Sequence, residues 1–305
     1  MSIESIADVV DVEIICGARA TKATPPTLLV EVPHGADLRV HYDRLRARLT
    51  GALPDDLHAF FHINTDVGAW AYGRRTAELV VLAQPERSAL VVRSLIPRTF
   101  IDCNRPATQG TSEIKPGALT AGIPPYVTSP DDLALLTGLH ARYVEVAGAA
   151  FAAVCGNGGL ALVPHTYGPR TLGIKAIDQD IVNNLRWACE PERETTWPLR
   201  AEIDLLTRDS AGVDHAPPGM EAALLRAFSD AGFGAKANDT YNLHEASLGH
   251  AWSVRHEGRV LCLEVRRDLL VPAWRPFEET IADDAKAERV SAVLAPVLLD
   301  AFKRL

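Results

Sequence analysis

The chain has little of what several protein classes require. Its 305 residues include only five cysteines, Cys16, Cys103, Cys155, Cys189 and Cys262. They are odd in number, scattered and without a CxxC pair, which excludes a disulfide framework and a cysteine zinc site. Cys16, Cys103 and Cys262 lie in apolar runs, as buried free thiols do. No uncharged apolar stretch approaches the roughly 20 residues that a membrane-spanning helix needs. Positive charge is also scarce. Lys and Arg number 31 against 39 Asp and Glu, for a net charge of −8. Nucleic acid and anionic membranes both demand basic surface, so neither is an expected partner. The opening residues MSIESIADVVDVE lack the basic segment and apolar core of a signal peptide. With the free thiols, this makes the cytoplasm the expected location. No repeat, low-complexity tract or linker-like shift in composition interrupts the chain, so a single domain over 1–305 is expected.

What is present is apolar content, 47% of residues, enough for a sizeable core. Short apolar runs stand at TLLVEV (27–32), LVVLAQ (79–84), ALVVRSL (89–95), TFIDC (99–103), LALVP (160–164) and RVLCLEVRR (259–267). Runs of four to eight such residues suit strands buried on both faces. Helical patterns, apolar at every third and fourth residue, cover 37–49, 69–82, 129–154, 219–232 and 283–305. The segment beginning SPDD at 129 has an N-cap serine with proline in the first turn. Strands alternating with helices predict an α/β fold, a three-layer sandwich around a mixed, mostly parallel sheet. Two long stretches, 105–130 and 165–184, read as loops, and long loops in compact domains are commonly functional.

The polar residues collect where the apolar runs end. His34 follows the first strong run in VEVPHGAD. Asp66 lies in HINTDVGAW, just ahead of a helical pattern. Arg98, Asp102, Asn104 and Arg105 flank TFIDC. His165 follows LALVP, and Glu264 sits inside VLCLEV. Open α/β sheets bind ligands beyond the carboxyl ends of their strands, so these segments could converge. Two histidines and a carboxylate form a catalytic zinc set with one position left for water. Glu264 is a base candidate, because a carboxylate in an apolar strand is costly unless paired or bound, and burial raises its pKa. Arginines hold substrate carboxylates bidentately. Plainer readings stand beside these. Asp66 could cap the following helix, Glu264 could pair with Arg266 or Arg267, and Asp102 with Arg105 could form a structural ion pair. Asp37, three residues after His34, is a rival to Asp66 as the acidic ligand.

Taken in order, PHGAD, NTDVGAW, PRTFIDCNRP, LTAGIPPYV, PHTYG and LEVRR resemble the segments of the N-formylglutamate amidohydrolase family. The resemblance runs from about residue 28 to 268, and RTFIDCNRP is its most specific piece. It implies a fold similar to zinc carboxypeptidases and one Zn²⁺ per chain held by His34, Asp66 and His165. It further implies Glu264 as base and acid, with Arg105 beside it at the reacting centre. Arg98, Asn104, Arg170 and His250 would hold substrate. His140 matches a family histidine within a helix. The chain departs from the pattern at Val163, where the family carries an aspartate that would orient the second histidine, and at Cys262, where glutamine is usual.

The expected reaction is zinc-dependent hydrolysis of the amide bond of an N-formyl or N-acyl amino acid. The metal would lower the pKa of a water from about 16 toward about 7, and Glu264 would move its proton to the leaving nitrogen. Two alternatives stay open. One is a zinc carboxypeptidase or peptidoglycan amidase acting on peptides. The other is a non-catalytic carboxylate-binding protein on the same fold.

Overall fold

The computed structural model describes residues 3–110 and 120–304. Part of the 105–130 loop and Leu119, the first residue of LTAGIPPYV, lie outside the described residues, as does Leu305 of the closing helical pattern. The strands are β1 (Val10–Cys16), β2 (Leu28–Val32), β3 (Ser88–Ser94), β4 (Leu160–Tyr167), β5 (Ile203–Leu206), β6 (Ala235–Ala237) and β7 (Val260–Arg266). The α-helices are α1 (Arg39–Arg46), α2 (Leu57–Asn64), α3 (Ala69–Ala83), α4 (Pro130–Val154), α5 (Ile181–Ala188), α6 (Pro191–Glu194), α7 (Met220–Asp230), α8 (Leu248–Arg255) and α9 (Asp284–Phe302).

The strands form one seven-stranded sheet in the order β1-β3-β2-β4-β7-β5-β6. Its centre is parallel: β3 with β2, β2 with β4, and β4 with β7. β1 on β3 and β5 on β7 are antiparallel. β2 and β4 are buried along their whole length. That is why they read as unbroken apolar runs, since helices cover both faces of a parallel sheet. One face packs Leu29, Phe61, Phe100, Leu136, Phe151 and Trp252 beneath α2, α4 and α8. The other packs Leu28, Val30, Tyr72, Val80, Phe228 and Leu294 beneath α3, α7 and α9. The result is the expected three-layer α/β sandwich. Helix α4 starts where the sequence indicated: the Ser129 side chain accepts from Asp132 N, and Pro130 opens the first turn.

Two expected strands are not strands. Residues 79–83 are the last turns of α3 and Gln84 is its C-cap, with Val80 buried and Leu82 pointing to solvent. The helical period of that segment outweighs its short β-like run. TFIDC is a turn-and-loop segment. Phe100 N donates to Pro97 O at 3.0 Å, and Asp102 N donates to Gly122 O at 2.8 Å. Phe100 and Ile101 are buried by packing under the loop, so their apolar character comes from the core and not from a ladder.

Candidate active site and metal centre

Four adjacent parallel strands bring the site together. His34 stands two residues past β2, and His165 is the sixth of the eight residues of the neighbouring β4. Glu264 is its register partner on β7. Asp66 arrives from the α2–α3 connection, and Arg98, Asp102, Asn104 and Arg105 come from the loop after β3. The glycine behind His34 has a steric reason. A Cβ on Gly35 would sit 2.4 Å from Arg93 Cγ and 3.0 Å from Ser94 O. Arg93 itself donates to Gly35 O at 2.8 Å and to Asp37 at 2.7 Å. Asp37 is therefore committed to Arg93, and Asp66 is the carboxylate that reaches the histidines.

The centre is a triangle. His34 Nδ1 lies 3.2 Å from Asp66 Oδ2, His165 Nδ1 lies 3.2 Å from the same oxygen, and the two Nδ1 atoms lie 3.2 Å apart. All three residues are buried. Ligands about 2.0–2.1 Å from a tetrahedral Zn²⁺ are separated by roughly 3.3 Å, so these atoms fit one face of such a coordination shell. A metal ion could be held by this group.

The surroundings prepare those atoms. His34 Nε2 meets Asp102 Oδ1 at 2.7 Å. This places the ring proton on Nε2 and leaves the Nδ1 lone pair toward the triangle. Arg98 spans the two carboxylates, donating to Asp66 Oδ1 at 3.0 Å and Asp102 Oδ2 at 3.1 Å. Thr166 N and Arg267 also donate to Asp66, at 3.2 and 3.4 Å. Burial alone would raise the pKa of Asp66, but His34, His165 and Arg98 hold it well below the usual carboxylate range. Asp102 is likewise held well below its ordinary value against burial, by His34, Arg98 and Arg105. Burial and Arg98 push His34 down, yet Asp102 and Asp66 leave it raised. His165 is lowered, chiefly by burial. In place of the carboxylate absent at Val163, His165 has Tyr72, whose hydroxyl donates to its backbone carbonyl at 3.0 Å. It also has the Asn104 amide, 3.4 Å from Nε2. Asn104 is fixed in turn by Gly249 N, which donates to its Oδ1 at 2.8 Å.

A cavity of about 390 Å³ opens onto His34, His165 and Glu264. Its wall carries five arginines, Arg98, Arg105, Arg170, Arg200 and Arg267, and an apolar side that includes Phe60, Ile63, Leu172 and Leu243. Among the described residues, two buried polar atoms of this wall have no hydrogen-bond partner, Glu264 Oε2 and Arg105 Nε. Glu264 pairs with neither Arg266, which binds Asp268, nor Arg267. Burial and the neighbouring Asp66 push its pKa up to about 8, so its proton is exchangeable near neutrality. Asp102 bonds His34 and Arg98, while Arg105 Nη1 donates to Asn104 O. Asp66 does not cap α3; Gly68 occupies that position with no side-chain bond.

The remaining sequence candidates separate. Arg170 lines the cavity with Nη1 tied to Trp197 O at 2.6 Å. His140 accepts no such role, since its Nε2 contacts Arg105 O at 2.8 Å and supports the loop from behind. His250 does not line the cavity. It faces Asp209 from the first turn of α8, and His244 is the histidine of that region on the wall. Arg200 and Arg267 are cavity-wall residues that the sequence did not single out as substrate-binding candidates. Arg267 follows Glu264 by three residues in LEVRR and could have been found from that. Arg200, packed between Tyr167 and Tyr241, has no local signal.

No protein-family model and no curated protein sequence matches the chain. Solved structures do match it. One is an N-formylglutamate amidohydrolase from Ralstonia eutropha JMP134, with a TM-score of 0.58 and 14% identity over 98% of this chain and 100% of that one. Another is a gene product of Agrobacterium tumefaciens, with a TM-score of 0.55 and 19% identity over 99% of both chains. At these identities the likeness is one of fold, and over its whole length this chain has the α/β architecture of that amidohydrolase.

Proposed function

We propose that this protein is a metal-dependent amidohydrolase that cleaves the amide C–N bond of an N-formyl or N-acyl amino acid. The observation that carries the reading is the 3.2 Å triangle of His34, Asp66 and His165 beside Glu264, whose Oε2 has no hydrogen-bond partner among the described residues. Two imidazoles and a carboxylate are the donor set of a catalytic Zn²⁺. When bound there, Zn²⁺ supplies Lewis-acid polarisation of a carbonyl and acidification of a water.

The chain's own residues supply the rest. Asp102 holds the His34 proton at Nε2, keeping Nδ1 available as a ligand. Glu264 Oε2 takes a proton from the attacking water as the new C–O bond forms at the amide carbon. The same carboxyl then gives that proton to the nitrogen as the C–N bond breaks, releasing a carboxylic acid and an amine. Arg105, whose Nε has no partner among the described residues, holds the carboxylate of the amino-acid part, and Arg170 and Arg200 add positive potential around it. The apolar side of the cavity excludes water and receives the acyl group.

The test begins with zinc content of wild type and His165→Ala by elemental mass spectrometry. A panel of N-formyl, N-acetyl and longer N-acyl amino acids, with dipeptides alongside, follows. Zinc lost in the variant, together with release of free amino acid from the N-acyl panel, is the expected result. Hydrolysis of peptides alone, or of nothing in the panel by zinc-loaded protein, overturns it.

A further inference from the structure

Outside the cavity, Asp209, His215 and His250 form a second group whose ligand atoms all lie within 4.8 Å of one another. Asp209 and His215 belong to a tight hairpin. His215 N donates to Thr207 O at 2.8 Å, and Asp209 N donates to Val213 O at 3.2 Å. Within it, Asp209 Oδ1 is fully used, accepting from Ala211 N at 3.0 Å and Val213 N at 2.9 Å. The backbone therefore fixes the carboxylate with Oδ2 pointing away from the turn. Two imidazoles converge on that one oxygen, His215 Nε2 at 2.9 Å and His250 Nε2 at 3.9 Å. Their rings meet edge to face, with centroids 5.0 Å apart. The three side chains are only 11–15% exposed. One hydrogen bond would satisfy Asp209 and His215, but it gives His250 no reason to aim its Nε2 at the same atom.

The geometry points to a second divalent-metal site at Asp209, His215 and His250, taking Zn²⁺ or a similar transition metal and lying outside the catalytic cavity. Two imidazoles with a single carboxylate favour such a metal over Ca²⁺ or Mg²⁺, which prefer oxygen ligands. The ligands come from two separate elements, the 207–215 hairpin and the first turn of α8. That turn is also bonded to the site, through Leu248 N to Asn104 O at 3.0 Å and Gly249 N to Asn104 Oδ1. An ion here braces the hairpin against the helix that carries Ser247 and Gly249 into the cavity wall. The site is independent of any metal at His34, Asp66 and His165.

The test counts metal. Wild type, His165→Ala, His215→Ala and His250→Gln are stripped with chelator, incubated with excess Zn²⁺ and desalted. Zinc per chain is then measured by elemental mass spectrometry, with circular dichroism as a check of folding. The expected counts are two for wild type and one for each variant. A single zinc in wild type that survives both His215→Ala and His250→Gln overturns the site, and so do two that persist in those variants. A single zinc lost in His215→Ala but kept in His165→Ala supports the site and removes the catalytic metal instead. If His215→Ala does not fold, His250→Gln decides: an unchanged count refutes the assignment.

Discussion

Replacing Glu264 with glutamine should make the metal-free protein more stable and the loaded protein inactive. The carboxyl sits on β7 in register with His165 and with Asp204, itself buried. Burial and Asp66 raise its pKa from 4.5 to about 8. The folded state thus prefers the neutral form. Its contribution to stability is complete below pH 4.5 and is lost as pH rises through about 8. At 1.36 kcal/mol per unit, the full shift corresponds to about 5 kcal/mol. The residue is half-buried and faces the cavity, where water screens part of this, so the observable difference is about 2 kcal/mol. Glutamine keeps the shape and cannot ionise. Urea unfolding of metal-free wild type and Glu264→Gln at pH 5 and pH 9 measures the effect. The two should be similar at pH 5, and the variant should be about 2 kcal/mol more stable at pH 9. In zinc-loaded protein the same substitution should lower kcat by about 100-fold or more and abolish the acid limb of the kcat/KM profile. A variant that gains no stability at pH 9, or that turns over at the wild-type rate, refutes the assignment of an unpaired proton-carrying carboxyl.

Three further outcomes are expected. Asp102→Ala removes the acceptor that fixes the His34 tautomer and should weaken zinc binding by about 10–100-fold, read by competition with a chelating dye; unchanged affinity would show that Asp102 does not orient the ligand. Glu31, buried on β2, accepts from the Tyr143 hydroxyl, and burial raises its pKa from 4.5 to about 7. Its neutral form is favoured in the fold, so wild type should lose up to about 3 kcal/mol between pH 4.5 and pH 7–8 that Glu31→Gln retains, measured by unfolding across that range. Gly73 on α3 lies so close to the sheet that a Cβ would meet Pro164 Cγ at 2.9 Å and Val30 Cγ1 at 3.0 Å. Gly73→Ala should therefore cost about 1–3 kcal/mol through overpacking, despite the better helix propensity of alanine; a variant as stable as wild type in thermal unfolding would mean that α3 shifts freely.

The sequence by itself determined the α/β class and most of the scaffold. β2, β3, β4 and β7 were legible because strands covered on both faces must be apolar throughout, and α4 because its cap and proline are local chemistry. It also placed His34 and His165 at the ends of such runs and Glu264 inside one, where a carboxylate is costly unless paired or bound. Tertiary structure decided what depends on distant partners. In the sequence Asp37 stands as a rival to Asp66; Arg93, 56 residues from Asp37, claims it and leaves Asp66 to the histidines. TFIDC looked like a strand because burial by loop packing and burial in a sheet select the same residues. His250 looked like a substrate contact until the turn of α8 aimed it at Asp209. Arg200 gave no signal, because an arginine's partners are set by which loops the sheet order brings together, and that order is a property of the whole core.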